Sequence, residues 1–207
     1  MTELSLRERK KIATGRELAL AALDLTLERG LAETTVEDIV EHVGYSRRTF
    51  ANHFTCKQEA VVDGFFLRLG MPSARFAAVP GDLPAAADVS APLRIDAVID
   101  AAADAYEAVF TAAGSSLVAD FGHLLHSEPT LAPYVHQTVF AVRREARARL
   151  VDAGMPPRRA ALLLGALLGV GGVVIEELLE GDAGPDDVAA LLAEGLAHVR
   201  RGFAEPH

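Results

Sequence analysis

Three features of the sequence predict an all-α fold with about nine helices. Alanine and leucine, two of the strongest helix-forming residues, dominate the 207-residue chain. No segment alternates apolar and polar residues over the length of a strand, and β-branched residues are not gathered into short runs. Glycine and proline fall between segments of helical apolar spacing, where they end one helix and precede the next.

Four helices are predicted in the N-terminal third: Leu6 to about Arg29, Val36 to Val43, Arg47 to about His53, and Lys57 to about Leu69. Gly30 can adopt a positive φ at low cost and therefore ends the first helix. The second helix can be capped by the hydroxyl of Thr34 or Thr35. The reciprocal partner of that cap is then Glu37 or Asp38.

Turn residues predict the remaining boundaries. Ser46 can cap the third helix, and Thr55 with Gln58 forms a capping pattern before the fourth. Four prolines and a Gly-Asp turn between Met71 and Pro92 predict a loop or mobile connection. Five further helices are predicted after it, at about 93–113, 115–127, 130–153, 157–180 and 185–203.

Composition limits the compartment in which the protein works. The single cysteine, Cys56, cannot form an intrachain disulfide, which fits a reducing cytoplasm. The charged start of the chain lacks the apolar core of a signal peptide. The longest apolar run, at 160–175, is shorter than the roughly 20 residues that span a bilayer. We therefore predict a cytoplasmic protein with no membrane partner, and we interpret this run as a buried helix.

The charge is unevenly distributed along the chain. The first 57 residues contain nine basic and nine acidic residues, so their net charge is zero. The other 150 contain eleven basic and twenty acidic residues, which account for the whole net charge of −9. A DNA-binding surface needs a local basic patch rather than a basic protein, so the acidic total does not exclude one.

Residues 34–57 carry the most informative pattern. Two short helices are separated by Gly44-Tyr45-Ser46, and helices of this length need packing to be stable. The apolar residues that can pack together against the first helix are Ile39, Val40, Val43, Phe50 and Phe54. The pattern is that of a helix-turn-helix, whose second helix enters the major groove of DNA. The alternative is an ordinary helical hairpin with a solvated basic face.

Polar residues on and beside that second helix suit contact with DNA. Arg47 and Arg48 lie at its start, and an arginine can bond a guanine edge or pair with phosphate. Thr35 and Lys57 open the second and fourth helices, where unpaired backbone N–H groups favour an anion. The predicted DNA-binding residues are Thr35, Arg47, Arg48, Thr49, Asn52, His53 and Lys57.

The stretch from about Ala21 to Val62 resembles the DNA-binding domain of the TetR family of transcriptional regulators. The residues that carry the resemblance are Ala21-Ala22-Leu23, Glu28-Arg29-Gly30, Thr34-Thr35-Val36, Asp38-Ile39, Gly44, Ser46, Thr49-Phe50, His53-Phe54 and Lys57. The resemblance implies an all-α homodimer, a two-fold operator and a C-terminal domain that binds a small inducer. It also implies DNA contacts at the positions of Thr35, Arg47, Arg48, Thr49, His53 and Lys57.

Four positions depart from the family pattern. Thr26 and Ala51 stand where the family usually has aromatic residues, and Val40 and Val43 stand where alanine is usual. The first two lose volume and the other two gain it, so they can partly compensate in one small core. The aromatic phosphate contact that the family often makes at the position of Ala51 is not carried over.

The C-terminal helices predict architecture more readily than chemistry. Several glycines within one helix disfavour it unless another helix must approach closely, and the family pairs its last two helices across a dimer. The predicted dimer-interface residues are Gly165, Gly169, Gly172, Leu191, Leu192, Leu196, Val199 and Phe203. The predicted ligand-pocket residues are Phe65, Tyr106, Phe110, Phe121, His123, Leu124, Phe140 and Arg143. Burial within one chain is the alternative for each of them.

No catalytic arrangement is recognised, and we predict neither an enzyme nor a cofactor. His123 and His126 have a spacing that can bind metal, but they lack a firm third ligand, so no metal site is predicted. A hydrogen-bonding pocket histidine is the alternative for His123. Cys56 lies at a helix start, where the pKa of a thiol could fall. We interpret it as a small residue at that position.

The predicted domains are a three-helix helix-turn-helix DNA-binding domain at 1–56 and a helical ligand-binding and dimerisation domain at 57–207. The predicted function is a ligand-responsive transcriptional regulator, a repressor that a small-molecule effector releases from operator DNA. The expected partners are a double-stranded DNA operator, a second copy of the chain and the effector. The alternative is a helical small-molecule-binding or enzymatic protein that keeps the fold without regulating genes, and an activator is also compatible with the sequence.

Overall fold

A computed structural model describes residues 5–71, 94–180 and 184–203. Its nine α-helices in these ranges are α1 (Leu6–Arg29), α2 (Val36–Val43), α3 (Arg47–Ala51), α4 (Lys57–Arg68), α5 (Ile95–Val109), α6 (Ala112–Ser127), α7 (Ala132–Asp152), α8 (Pro157–Glu180) and α9 (Pro185–Phe203). A 3-10 turn at Pro129–Leu131 leads into α7. The described residues contain no strand, which confirms the all-α prediction.

The local capping signals produce most of the predicted boundaries. α1, α2, α8 and α9 have the predicted limits, and Gly30 ends α1 with a φ of 87°. α3 and α5 are shorter than predicted, ending at Ala51 and Val109. The predicted loop between Met71 and Pro92 lies, apart from Met71, outside the described residues.

The predicted cap of α4 is wrong. Cys56 is the N-cap residue and makes no side-chain capping bond. Thr55 instead bonds Glu59, through its backbone N–H at 2.7 Å and its hydroxyl at 2.9 Å. The Glu59 carboxylate therefore accepts both bonds of Thr55, in place of the predicted Gln58.

The described residues divide into two compact units. The described residues of the first unit are 5–71 and 123–140, and those of the second are 94–122, 141–180 and 184–203. These limits differ from the predicted boundary after residue 56, since α4 packs along α1 and belongs to the first unit. The division of the chain by function stays a prediction.

The first unit is built around the crossing of α1 and α4. Leu18 and Leu23 of α1 and Val61 of α4 are fully buried in this core. The two helices pack closely at Gly64, where an added Cβ would clash with the carbonyl oxygen of Ala19. Only a glycine permits this approach, because the obstructing atom belongs to a helix backbone.

The second unit has α5, α8 and α9 around its core. One buried cluster centres on Ile99, Leu163 and Leu167, with Val199 of α9 packed into it. A second cluster centres on Val174, with Val188 and Leu192 of α9. The clusters follow one side of α8, so that helix contributes the largest part of the core.

α8 carries apolar residues on its buried inner side and also on its exposed outer side. By length and composition it is the one continuous helix in the described part of the chain that could cross a membrane. Its inner side is buried against α5 and α9, as expected of a core helix. Its outer side carries exposed apolar residues, including Leu162, Leu168 and Val173.

Candidate nucleic-acid interface

The helix-turn-helix is fixed at its ends by short polar side chains. The Thr35 hydroxyl accepts the backbone N–H of Asp38, and the Asp38 carboxylate accepts the backbone N–H and hydroxyl of Thr35. This reciprocal capping box starts α2. Gly44 then turns the chain with a φ of 72°, and Ser46 caps α3 by accepting the N–H of Thr49 at 3.1 Å. The starts of both helices and the end of α2 are therefore set by residues that the sequence specifies locally.

An apolar cluster holds these short helices in place. Ile39 is fully buried, and Val40, Phe50 and Phe54 are also buried. The rings of Phe50 and Phe54 pack 5.4 Å apart between centroids. Val43, predicted to join this cluster, is only half-buried. Because an isolated five-residue helix is unstable in water, α3 depends on this packing for its existence.

Arg47 and Arg48 stand on the outer surface of α3. Both are exposed, and the Arg47 side chain is 74% accessible. Nη2 of Arg47 pairs with Oε1 of Glu37 at 2.6 Å. The first turns of α2 and α3 are therefore joined by an ion pair on the surface of the helix-turn-helix.

The neighbouring carboxylate, Asp38, has a structural role. Its bonds to Thr35, and in smaller part the Arg29 guanidinium 3.0 Å away, lower the pKa of this carboxyl below its ordinary value. The ionised form is thus the one that caps α2. Glu37 makes no such capping bond, so of the two adjacent carboxylates one caps α2 and the other pairs with Arg47.

The other predicted residues of α3 are divided between surface and core. Thr49 shares a hydroxyl–hydroxyl bond of 2.9 Å with Ser46 and is half-buried, while Asn52 is exposed. His53 is buried, with 8% of its surface accessible, and its ring lies beside that of Phe54. The structure therefore places Asn52, but not His53, on the outer surface near Arg48.

Lys57 points into the protein rather than away from it. Its Nζ donates to the carbonyl oxygens of Leu31 and Thr34 at 2.6 Å and 2.7 Å. An ammonium group has three N–H donors, so two of them are already used within the chain. Lys57 thereby fixes the turn between α1 and α2, a role that the sequence analysis did not predict.

Two tyrosines that were not predicted support the interface. The hydroxyl of Tyr45, in the turn before α3, donates to Glu17 of α1 at 2.7 Å. The Cys56 thiol donates a hydrogen bond to the Tyr134 hydroxyl at 3.1 Å. Neither contact has a signal in the sequence, since its partners lie 28 and 78 residues apart.

The departures from the family pattern fall at different depths. Ala51 is exposed on α3, so its small size leaves no gap in the core. Thr26 is buried, and its hydroxyl has no hydrogen-bond partner among the described residues. Val40 is buried near the same helix-turn-helix core.

The predicted pocket residues are dispersed. Tyr106 and Phe110 lie together, with ring centroids 6.1 Å apart, and pack against the Val174 cluster. The Tyr106 hydroxyl donates to the carbonyl oxygen of Leu167, and burial raises the pKa of this phenol. Phe65 and Phe121 are buried, Leu124 is half-buried, and the exposed members of the set are His123, Phe140 and Arg143.

The predicted dimer residues separate into two groups. An added methyl group would meet nothing within 4 Å at Gly169 or Gly172, and at Gly165 only the end of the Arg143 side chain. The five residues of α9 instead pack on the clusters within the second unit: Leu191, Leu192, Leu196, Val199 and Phe203. The glycines thus lie on an open face and the α9 residues against their own chain.

The described residues contain no group of three or more histidine, cysteine or acidic side chains that could hold a metal ion. His123 and His126, both exposed, are therefore not joined there by a third ligand.

Comparison with known proteins concerns mainly the first unit. Residues 19–61 match the model of the tetR family of bacterial regulatory proteins. The HTH-type transcriptional regulator TcmR of Streptomyces glaucescens is 44% identical over 57 residues, which are 28% of this chain and 25% of that protein. The matched region therefore spans a quarter of the length of that relative.

A solved structure shows a similar fold over nearly the whole chain. It is that of a protein from Mesorhizobium loti MAFF303099 described as a candidate TetR-family transcriptional regulator. The similarity covers 93% of this chain and 98% of the other, with a TM-score of 0.55 and 15% sequence identity. At this identity the similarity establishes the fold alone.

Proposed function

We propose that this chain, which belongs by its N-terminal domain to the TetR family of bacterial regulatory proteins, is a DNA-binding repressor that a small-molecule effector releases from its operator. The observation that carries the proposal is the capped and packed helix-turn-helix with Arg47 and Arg48 on its outer surface. In this arrangement α3 enters the major groove and the arginines contact base edges or phosphates.

The proposed DNA contacts come from the exposed part of the predicted set. Arg47 and Arg48 are the readers of sequence, because arginine can bond a guanine edge bidentately. Thr49 and Asn52 lie on or beside the same surface and would donate to phosphates. Thr35 donates its backbone N–H and its hydroxyl to Asp38, so its proposed contribution is its position at the start of α2, where a helix N-terminus favours an anion. Lys57 and His53 act from behind this surface, since one bonds two carbonyl oxygens and the other is buried.

The protein is proposed to act as a homodimer through the outer face of α8. This outer face comprises Leu162, Gly165, Leu168, Gly169, Gly172 and Val173. Exposed leucines beside open glycines suit a second helix at close distance. A two-fold dimer presents two copies of α3 about one DNA turn apart, roughly 34–36 Å.

The effector is proposed to act through α4. Cys56, the N-cap residue of α4, donates to Tyr134, and α4 also packs against the turn at Pro129–Leu131. A small molecule bound among the C-terminal helices would release DNA if it favoured a different position of α4. Its differential affinity for the two positions sets the largest possible effect.

The proposal is tested by a gel shift with DNA from upstream of the chain's own gene. The wild type should form a discrete complex, and R47A/R48A should lose specific binding while keeping its thermal stability. R144A/R147A removes the same charge from exposed positions on α7 and should bind normally. Failure of the wild type to bind, or normal binding by R47A/R48A, would contradict the proposed function.

A further inference from the structure

The ion pair between Glu37 and Arg47 is not explained by stability. Both side chains are more than half exposed, and an exposed ion pair contributes little to folding. Glu37 is also not needed to cap α2, because Asp38 supplies the capping carboxylate. A reason for this carboxylate is therefore to be sought in binding.

On a surface that meets DNA, a carboxylate has a cost. Phosphates dominate the affinity of proteins for DNA of any sequence, and a negative charge beside them weakens that affinity. Glu37 lies on the first turn of α2 next to the first residue of α3. It would therefore weaken binding to DNA of any sequence. Its contact with Arg47 can offset this loss only if the contact raises the affinity for the operator sequence.

The contact can raise operator affinity by fixing the orientation of the Arg47 side chain. The Arg47 guanidinium is planar and has five N–H donors, and Glu37 contacts it at Nη2. The remaining donors can bond the O6 and N7 atoms of guanine, which requires a fixed side-chain direction. A long exposed arginine is otherwise free to turn to the nearest phosphate.

We infer that Glu37 is a specificity-determining positioning residue, which aims the Arg47 guanidinium at a guanine edge and disfavours its use as a phosphate ligand. This inference rests on the proposed DNA-binding function. Glu37 lowers the affinity for non-specific DNA and raises the affinity for the operator. The discrimination between the two, rather than operator affinity alone, is the quantity that Glu37 controls.

The test compares E37Q with wild type on two DNA duplexes. One is the sequence that wild type protects in a footprint of its upstream region, and the other is a shuffled duplex of the same composition. E37Q should bind the shuffled duplex about 3-fold more tightly and the operator about 3-fold more weakly, so the ratio falls about 10-fold. Its melting temperature should match that of wild type.

Two controls distinguish orientation from charge. E41Q makes the same charge change one turn further along α2, at another exposed position. It should leave the ratio within about 2-fold of wild type. In an R47A background, E37Q should no longer weaken operator binding, because the side chain that it orients is absent.

The possible results separate the inference from the proposed function. No operator binding by wild type would overturn both. Wild-type discrimination together with an unchanged ratio in E37Q would overturn the inference alone, as would an equal rise in affinity for both duplexes. A fall in the E37Q ratio that persists in the R47A background would also overturn it.

Discussion

The helix-turn-helix of the first unit and helix α8 of the second use their surfaces in opposite ways. Around α2 and α3, most of the exposed residues are polar, and several are held by caps or ion pairs, as Thr35 and Arg47 are. The outer face of α8 is formed by leucine, valine and glycine, and an added methyl group at Gly169 would touch nothing. The first surface suits a charged, hydrogen-bonding partner, and the second suits an apolar helix.

The two surfaces also differ in what supports them. The apolar cluster behind α3 is small and depends on α1 and α2, whereas α8 is anchored along its whole inner side by α5 and α9. Function on the first surface therefore depends on a few positioned side chains. Function on the second depends on the shape and apolarity of a helix face.

The largest expected effect comes from disrupting the apolar surface. L168E places a charge on the outer face of α8, where desolvating it against a second copy is unfavourable. The dimer should dissociate, and operator affinity should fall about 100-fold because the two half-sites are no longer bound together. Sedimentation velocity and fluorescence anisotropy with operator DNA measure the two results.

A105E is the matched control, since Ala105 is exposed on α5, outside the outer face of α8. It adds the same charge and should leave both the dimer and operator affinity unchanged. If L168E stayed dimeric at the concentrations where wild type is dimeric, the assignment of this face would be wrong.

The next largest effect is a loss of stability, and it should differ between a glycine packed inside the first unit and a glycine with open space beside it. G64A places a Cβ against the backbone of Ala19 and should lower the free energy of unfolding by about 3 kcal/mol. G202A meets nothing within 4 Å, and should lower it not at all. Chemical denaturation measures both, and equal stabilities for the two variants would contradict the close crossing of α1 and α4.

A smaller effect is expected at Lys57. K57M removes the two bonds to Leu31 and Thr34 and should lower the free energy of unfolding by about 1.5 kcal/mol. Operator binding should weaken, but the slope of its logarithm against log salt should stay that of wild type. A slope smaller by about one unit would mean that Lys57 neutralises a phosphate after all.

Most of the helix-turn-helix could be predicted from the sequence because its signals are local. The turn at Gly44 and the cap at Ser46 act within four residues and are found as predicted, and Thr35 with Asp38 is one of the capping pairs that the sequence allowed. The same holds for the starts of α8 and α9, each of which begins at a proline. The predicted cap of α4 was wrong because two side chains, Gln58 and Glu59, can accept hydrogen bonds from the same threonine, Thr55.

Side-chain roles that depend on distant partners could not be predicted. Lys57 has the sequence position of a phosphate ligand, but its partners Leu31 and Thr34 are more than twenty residues away. The apolar face of α9 could equally have faced a second copy, yet Leu192 and Val199 are buried against the α5 and α8 side of their own unit. Periodicity identifies an apolar face and not its occupant.

Salt dependence of DNA binding tests the central claim most directly. The association constant of wild type should be measured by fluorescence anisotropy on its upstream operator and on a shuffled duplex, at salt concentrations from roughly 50 to 200 mM. We predict a steep fall for both, with the operator bound more tightly throughout. Absence of binding to either duplex at the lowest salt would contradict the account.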